Sequence, residues 1–145
     1  TNLSAVSEYQ TSLGIFSVPI VFFDPSGEMP RGTREGIAQQ IDIMPTVLGY
    51  LGYEKPYVAF GCDLFHTSAE DTWVVNYLNG IYQYVKGDYL ILFDGKDVKG
   101  VYRFKEDKLL NNNLVNQFDC TKWVDELKAI IQSYMYRMNN NQLVM

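Results

Sequence analysis

The sequence has few of the residues from which cysteine- and histidine-based sites are built. Its 145 residues include two cysteines, Cys62 and Cys120, and one histidine, His66. Two cysteines this far apart in sequence do not define a disulfide framework, so we expect no bridge between them. No P-loop, G-x-G-x-x-G, H-E-x-x-H or paired C-x-x-C motif is present, which leaves nucleotide sites and structural zinc sites without a signature.

Long apolar runs and an excess of positive charge are also missing. No stretch approaches the roughly 20 apolar residues that cross a bilayer, so we expect no membrane contact by this segment. The net charge is −5 and the basic residues are scattered, which argues against nucleic acid as a partner. With 47% hydrophobic and 20% charged residues, the composition is that of an ordinary globular domain.

The first part of the chain has the pattern of strand, loop and helix. Residues 13–23 are almost continuously apolar, which predicts a strand buried on both faces of a sheet. Pro25-Ser26-Gly27 would end that strand, and a solvated loop would follow. Pro45 suits the first turn of a helix and Gly52 the position just past its end, with Val47, Leu48 and Leu51 on one face.

The second part alternates between apolar and polar residues with a period of two. Four such stretches, residues 73–77, 81–85, 89–93 and 98–104, are separated by short turns that contain glycine. The first turn is Asn79-Gly80, whose residues adopt the positive φ angles of a tight hairpin. We therefore predict an antiparallel meander of about four strands.

The pattern changes to a helical period from about residue 119, and Asn139-Asn140-Asn141 is predicted to end this helix. Its apolar stripe should pack on the meander. The predicted stripe consists of Trp123, Leu127, Ile130, Ile131, Tyr134 and Met138.

Two catalytic or metal-binding arrangements can be drawn around His66, and the sequence supports neither. Cys62, Asp63 and His66 lie on one irregular segment without a second Cys-His pair, whereas metals take three or four preorganised ligands. Ser68, His66 and Asp71 contain the residue types of a triad, but no strand-turn-helix elbow presents the serine. We expect no catalytic residue and no metal ligand in this chain.

Four polar residues have both a structural and a functional interpretation. Asp42 and Asp63 suit helix capping and the pinning of a turn, with a metal or substrate contact as the alternative. Arg31 and Arg34 follow the Pro25-Ser26-Gly27 turn, at the end of the predicted strand. They are candidates for a loop that binds an anionic substrate, with a solvated loop as the alternative.

One longer motif resembles a known family. The run from Gln39 to Gly52 contains Q-I-D-I-M-P-T-V-L, Gly61-Cys62-Asp63-Leu64-Phe65 follows, and V-P-I-V-F-F-D-P precedes at residues 18–25. This arrangement is similar to the sulfatase signature. It resembles the C-terminal part of the lipoteichoic acid synthase-like (phosphoglycerol transferase) branch of the alkaline phosphatase superfamily.

The resemblance implies an α/β fold, which would be α+β for the isolated chain. Residues 1–65 would be the C-terminal segment of the sulfatase-like α/β core, at the edge of an alkaline phosphatase-like sheet. Residues 66–145 would be a subdomain in which the four-stranded antiparallel meander packs on the C-terminal helix.

The resemblance also implies what the enzyme needs beyond this chain. Family members use a Thr, Ser or formylglycine nucleophile and a divalent metal, Mn²⁺, Mg²⁺, Ca²⁺ or Zn²⁺, on sulfate or phosphate esters. The metal-binding Asp-His pair of the family would directly precede Thr1 and Asn2, which makes these two residues candidates for groups that support the ligands. The fragment itself would be inactive.

Partners and location follow from the same resemblance. The remainder of the parent catalytic domain would be the partner, and an isolated fragment would form a homodimer or rearrange its sheet. The parent would act outside the cytoplasm, in the periplasm or at the cell surface, anchored in the cell membrane. The alternative is a non-catalytic α+β interaction module that shares only the Q-I-D-x-x-P-T pattern.

Overall fold

The four predicted strands form a single antiparallel sheet in the order β1-β2-β3-β4. The computed structural model describes residues 8–144, and this part of the chain is α+β with two α-helices. The strands are β1 (Trp73–Leu78), β2 (Ile81–Lys86), β3 (Tyr89–Phe93) and β4 (Val98–Arg103).

The first hairpin forms as the sequence predicts. Asn79 and Gly80 have φ angles of 51° and 83°, the positive values of a two-residue turn. This turn sets the pairing of Leu78 with Ile81 and so the register of β1 with β2.

The core lies between one face of the sheet and the C-terminal helix, α2 (Thr121–Asn139). Val75, Tyr84, Ile91 and Val101 are register partners and form one row across the four strands. Val124 and Leu127 of the helix complete the buried cluster with that row. The predicted packing of helix on meander is therefore confirmed.

The apolar stripe of α2 differs from the prediction at both ends. Val124 is buried although the predicted stripe omitted it, while Tyr134 and Met138 are 44% and 39% exposed. The sheet is only four strands wide and the helix has 19 residues, so its last turns extend beyond the core.

Both edges of the sheet are bonded by an amide side chain. Gln39 donates from Nε2 to the Trp73 carbonyl at 3.0 Å and accepts the Val75 N–H at 3.3 Å, on the edge of β1. Asn113 donates to the Lys99 carbonyl at 3.2 Å and accepts the Val101 N–H at 3.1 Å, on the edge of β4. Each amide therefore replaces part of a missing neighbouring strand.

Gln39→Ala should loosen the free edge of β1 at Trp73 and Val75. We expect faster exchange of the Val75 amide hydrogen and a loss of about 1 kcal/mol in unfolding free energy, since a hydrogen bond contributes about 0.5 to 1.5 kcal/mol. Hydrogen exchange followed by NMR measures the first effect and urea unfolding the second. Gln40, the exposed neighbour of Gln39, provides the control. If Gln40→Ala and Gln39→Ala gave the same exchange rates, the role of Gln39 at the β1 edge would be contradicted.

The first helix forms where Pro45 and Gly52 predict it. Helix α1 (Ile43–Tyr50) follows a 3-10 turn at Gln40–Asp42. At its end the Gly52 N–H donates to the Gly49 carbonyl and the Tyr53 N–H to the Leu48 carbonyl. With a φ of 64° at Gly52, this is a Schellman ending.

The prediction of a strand at residues 13–23 is wrong for the described chain. Gly14–Phe16 is a 3-10 turn, and no regular element is assigned from Ser17 to Asp24. Val21 and Phe23 are 81% and 82% exposed. A strand exists only through hydrogen bonds to a neighbour, and the described residues provide none beside this run.

The apolar face of α1 is also largely uncovered. Pro45 and Thr46 are buried, but Val47 is 38% and Leu51 70% exposed. The two halves of the chain thus differ: the meander and α2 share a core, whereas the first half leaves large apolar side chains in solvent. The division at residue 65 stays a prediction.

Candidate functional site

The two parts of the signature are bonded to each other through Asp42 and Thr46. The Asp42 carboxylate is 1% exposed, and it accepts the Gln39 N–H and the Cys62 N–H, each at 2.8 Å. The Thr46 hydroxyl donates to the Asp42 carbonyl at 2.6 Å and accepts the Leu64 N–H at 3.0 Å. These contacts hold the segment at residues 61–65 against the start of α1.

Two glycines allow this close approach. A Cβ on Gly61 would stand 2.2 Å from the Ile41 carbonyl oxygen, well inside contact distance. A Cβ on Gly49 would stand 2.1 Å from Oδ2 of Asp63. Gly49 and Gly61 are therefore explained by packing between the helix and the segment that crosses it.

Asp63 organises the turn after the signature. One carboxylate oxygen accepts the Phe65 N–H at 2.9 Å, and the other lies 2.7 Å from Nδ1 of His66. Asp63 pins a turn, as the structural interpretation predicts. The Asp42 side chain caps no amide of α1; it forms a capping box with Gln39 at the preceding 3-10 turn and bonds the Cys62 N–H. Both carboxylate oxygens of each residue are already engaged by the protein.

Neither the metal site nor the catalytic triad that could be drawn around His66 is formed by the described residues. Ser68 accepts the Glu70 N–H through its hydroxyl, and His66 pairs with Asp63 rather than Asp71, so the triad is absent from the described part of the chain. Residues 8–144 contain no group of three His, Cys, Asp or Glu side chains that could hold a metal. Cys62 and Cys120 are free thiols, as expected. Burial raises the pKa of both.

A second polar cluster forms at the end of the apolar run, where the sequence had predicted only a turn. The Asp24 carboxylate accepts the Ser26 N–H at 2.8 Å and also bonds the hydroxyls of Ser26 and Tyr50. These bonds, from the Ser26 hydroxyl first and the Tyr50 hydroxyl second, lower the pKa of Asp24 from 3.8 to about 2. The Asp-Pro-Ser-Gly pattern signals the turn, but it does not reveal Tyr50.

Tyr50→Phe should raise the pKa of Asp24 from about 2 toward its ordinary value of 3.8, because it removes one of the stabilising donors. Since the folded pKa is the lower one, these bonds stabilise the fold fully above a pH of about 4 and are lost as the pH falls toward about 2. An NMR titration of the Asp24 carboxyl measures the shift. The exposed Tyr53 provides the matched control, and Tyr53→Phe should leave the titration of Asp24 unchanged.

The two candidate arginines differ in what they contact. Arg34 donates to the Leu64 carbonyl at 2.9 Å, and its guanidinium lies 5.6 Å from the Phe65 ring centroid. Arg31 lies against the Gly27 turn and forms no ion pair among the described residues. The structure therefore uses Arg34 to hold the signature segment and leaves Arg31 exposed beside the Asp24 turn.

An apolar groove that no sequence pattern predicts lies beside β1. We call this the β1 groove; its volume is about 460 Å³. It lies between β1, the far end of α2 and the segment that carries Gln39. The residues that define it are Phe60, Trp73, Val75, Tyr77, Ile131 and Tyr134. Phe60 and Tyr134 stack edge to face with centroids 5.4 Å apart, a contact across 74 residues of sequence that no local pattern indicates.

The described structure defines this chain as an α+β protein with a four-stranded antiparallel sheet. Comparisons with family profiles, curated proteins and solved structures find no match. None of the helices in residues 8–144 is long and apolar enough to cross a membrane. Thr1 and Asn2, the predicted supporting groups, lie outside the described residues.

Proposed function

We propose that this chain is the C-terminal part of a metal-dependent, sulfatase-like hydrolase or phosphoglycerol transferase that acts on sulfate or phosphate esters. The nucleophile and the metal ligands would come from the remainder of the parent catalytic domain. The described residues assemble no metal-ligand set, so no chemical step is assigned to them. The parent would be anchored in the membrane and act outside the cytoplasm.

The observation that carries this proposal is the uncovered apolar surface of the first half. Val21 and Phe23 in the apolar run are more than 80% exposed, and Leu51 on α1 is 70% exposed. Folded domains rarely leave contiguous large apolar residues in water, and such surfaces usually meet another part of the protein. The parent's sheet would supply the strand that residues 17–23 lack and the layer that covers α1, in the alkaline phosphatase-like arrangement.

The signature contacts would then position a loop at the parent's active site. Asp42 and Thr46 fix residues 61–65 on α1, and Arg34 ties the Leu64 carbonyl to the loop that follows Gly27. This leaves Arg31 as the basic side chain available to an anionic ester. A guanidinium binds phosphate and sulfate oxygens through two parallel hydrogen bonds.

The first test is the coding sequence upstream of Thr1. An in-frame Asp-His pair next to Thr1, with a nucleophile motif and apolar spans further upstream, is the expected result. A start codon at that place would overturn the proposal.

The second test is activity. The 145-residue chain should not hydrolyse 4-nitrophenyl phosphate or 4-nitrophenyl sulfate with Mn²⁺, Mg²⁺, Ca²⁺ or Zn²⁺, whereas the longer gene product should hydrolyse one of them. In that longer protein Arg31→Gln should lower kcat/KM about tenfold to a hundredfold, the equivalent of one charge-assisted hydrogen bond. The exposed Lys55 provides the control, and an equal loss in Lys55→Gln would refute a role specific to Arg31.

A non-catalytic α+β interaction module is the second candidate. The observation that favours it is the β1 groove, which lies on the half of the chain that has its own core. A start codon directly before the codon for Thr1 would favour this function over the first.

A further inference from the structure

The free edge of β1 is open at its C-terminal end, at residues 75–77, within the described residues. In a two-residue hairpin Leu78 and Ile81 bond each other, so Trp73, Val75 and Tyr77 direct their main-chain groups away from β2. Gln39 takes the Trp73 carbonyl and the Val75 N–H. Among the described residues, the Val75 carbonyl and both main-chain groups of Tyr77 have no partner.

Exposed edges normally carry features that prevent pairing, and β1 has none of them apart from the Gln39 side chain at Trp73 and Val75. Such features are charged side chains, proline, bulges or a covering segment. The edge of β4 has Lys99 and Arg103, and the Leu114 N–H donates to the Val101 carbonyl at 2.8 Å. In contrast, β1 reads W-V-V-N-Y-L and pairs with β2 without a register shift.

The β1 groove lies where the side chains of an added strand would go. Alternate residues of a strand next to β1 would point to the α2 side of the sheet, where Trp73, Val75 and Tyr77 form one wall of the groove. Main-chain bonds at an edge combined with apolar pockets for alternate side chains are the usual pattern of strand addition.

The chain itself contains an uncharged apolar segment that could form such an added strand. Residues 17–23, S-V-P-I-V-F-F, contain no charge. Within the described residues, positions 18–23 form no hydrogen bond through their main chain. Phe22 packs on Phe65 with centroids 5.4 Å apart, while Val21 and Phe23, which alternate with it, are exposed. Val21 and Phe23, two positions apart in the run, are thus available to enter an apolar groove.

We propose that this chain self-associates by strand addition, with residues 17–23 of one copy on the β1 edge of a second copy and Val21 and Phe23 in its β1 groove. The contact joins two different surfaces, so two reciprocal contacts would close a dimer. This inference does not depend on the proposed function, because it needs only the apolar run and the open edge of the 145-residue chain.

The test uses two variants of the whole chain, each with one surface disabled. Val21→Lys/Phe23→Lys changes the run, and Tyr77→Lys, at a side chain 62% exposed, changes the edge. Sedimentation and light scattering should give a mass above the 16.7 kDa monomer for the unchanged chain. Each variant should raise the dissociation constant about tenfold or more, since each loses apolar burial and adds a charge to a strand edge. Leu109→Lys, at an exposed residue that belongs to neither surface, should associate like the unchanged chain.

Mixing the two variants distinguishes this contact from other forms of association. One variant keeps an intact edge and the other an intact run, so a fluorescent run variant should co-sediment with the edge variant in a 1:1 complex. A mixture that stays monomeric would overturn the proposal. Self-association of the run variant on its own would also overturn it and would indicate symmetric pairing of β1 with β1. A monomeric unchanged chain would overturn it, as would association that Tyr77→Lys leaves intact. Circular dichroism of each variant checks that the sheet is folded.

Discussion

Leu127→Ala is expected to lower the free energy of unfolding by about 3 to 4 kcal/mol, within the range of about 2 to 5 kcal/mol for a buried leucine reduced to alanine. Leu127 has no exposed surface and closes the cluster that α2 shares with the sheet. The change removes apolar contacts and leaves a cavity between two rigid elements, which cannot collapse fully.

Urea unfolding followed by circular dichroism measures the effect of Leu127→Ala. The same substitution at Leu109, which is 48% exposed, provides the control and should stay within about 0.5 kcal/mol of the unchanged chain. Equal effects at the two leucines would show that the helix and the meander do not share one core.

Asp42→Ala is expected to cost about 2 to 3 kcal/mol of unfolding free energy, because each N–H that loses a charged acceptor forfeits a bond worth about 1.5 to 3 kcal/mol and water replaces it only in part. The Gln39 and Cys62 N–H groups lose their acceptor together. The loss falls on the contact between α1 and residues 61–65, so the amides of Cys62 and Leu64 should exchange faster than those of the sheet.

Asp42→Asn should have a smaller effect, since the amide keeps one oxygen for one of the two N–H groups. Asp125, which is exposed on α2, provides the control for loss of a carboxylate, and Asp125→Ala should be close to neutral. If Asp42→Ala were as mild as Asp125→Ala, the bonds of Asp42 would not hold the two parts of the signature together.

The meander was predictable because its determinants are local. Asn79-Gly80 fixes a turn through the φ angles of two adjacent residues, and the period of two then decides which side chains reach the core. The helix endings are local in the same way, as Gly52 shows at the end of α1. For such elements the sequence contains the reason for the structure within a few residues.

The apolar run at residues 13–23 was not predictable by the same reasoning. Its composition is that of a buried strand, but a strand also requires a neighbour, and composition does not say whether one is present. In the described chain no neighbour exists, so the run is exposed at Val21 and Phe23. This one difference is the origin of both the proposed parent enzyme and the proposed self-association.

The candidate site also contains both kinds of feature: contacts that the local sequence predicts and contacts between distant residues that it does not. The structural role of Asp63 follows from its place before a turn, and the Asp-Pro-Ser-Gly turn at Asp24 is visible in the sequence. The approach of Tyr50 to Asp24, of Gln39 to the β1 edge and of Phe60 to Tyr134 each joins residues at least 26 positions apart. No period or motif encodes such distances.

The sequence by itself determined the four strands, their turns, both helices and the packing of α2 on the sheet, because turn geometry and apolar periodicity act between neighbouring residues. Only the tertiary structure decided that Asp42 joins the two parts of the signature, that Arg34 bonds the Leu64 carbonyl, and that β1 keeps an open edge beside a groove within residues 8–144. Those features depend on which distant groups meet, and each is stabilised by contacts that form only when the whole chain is folded.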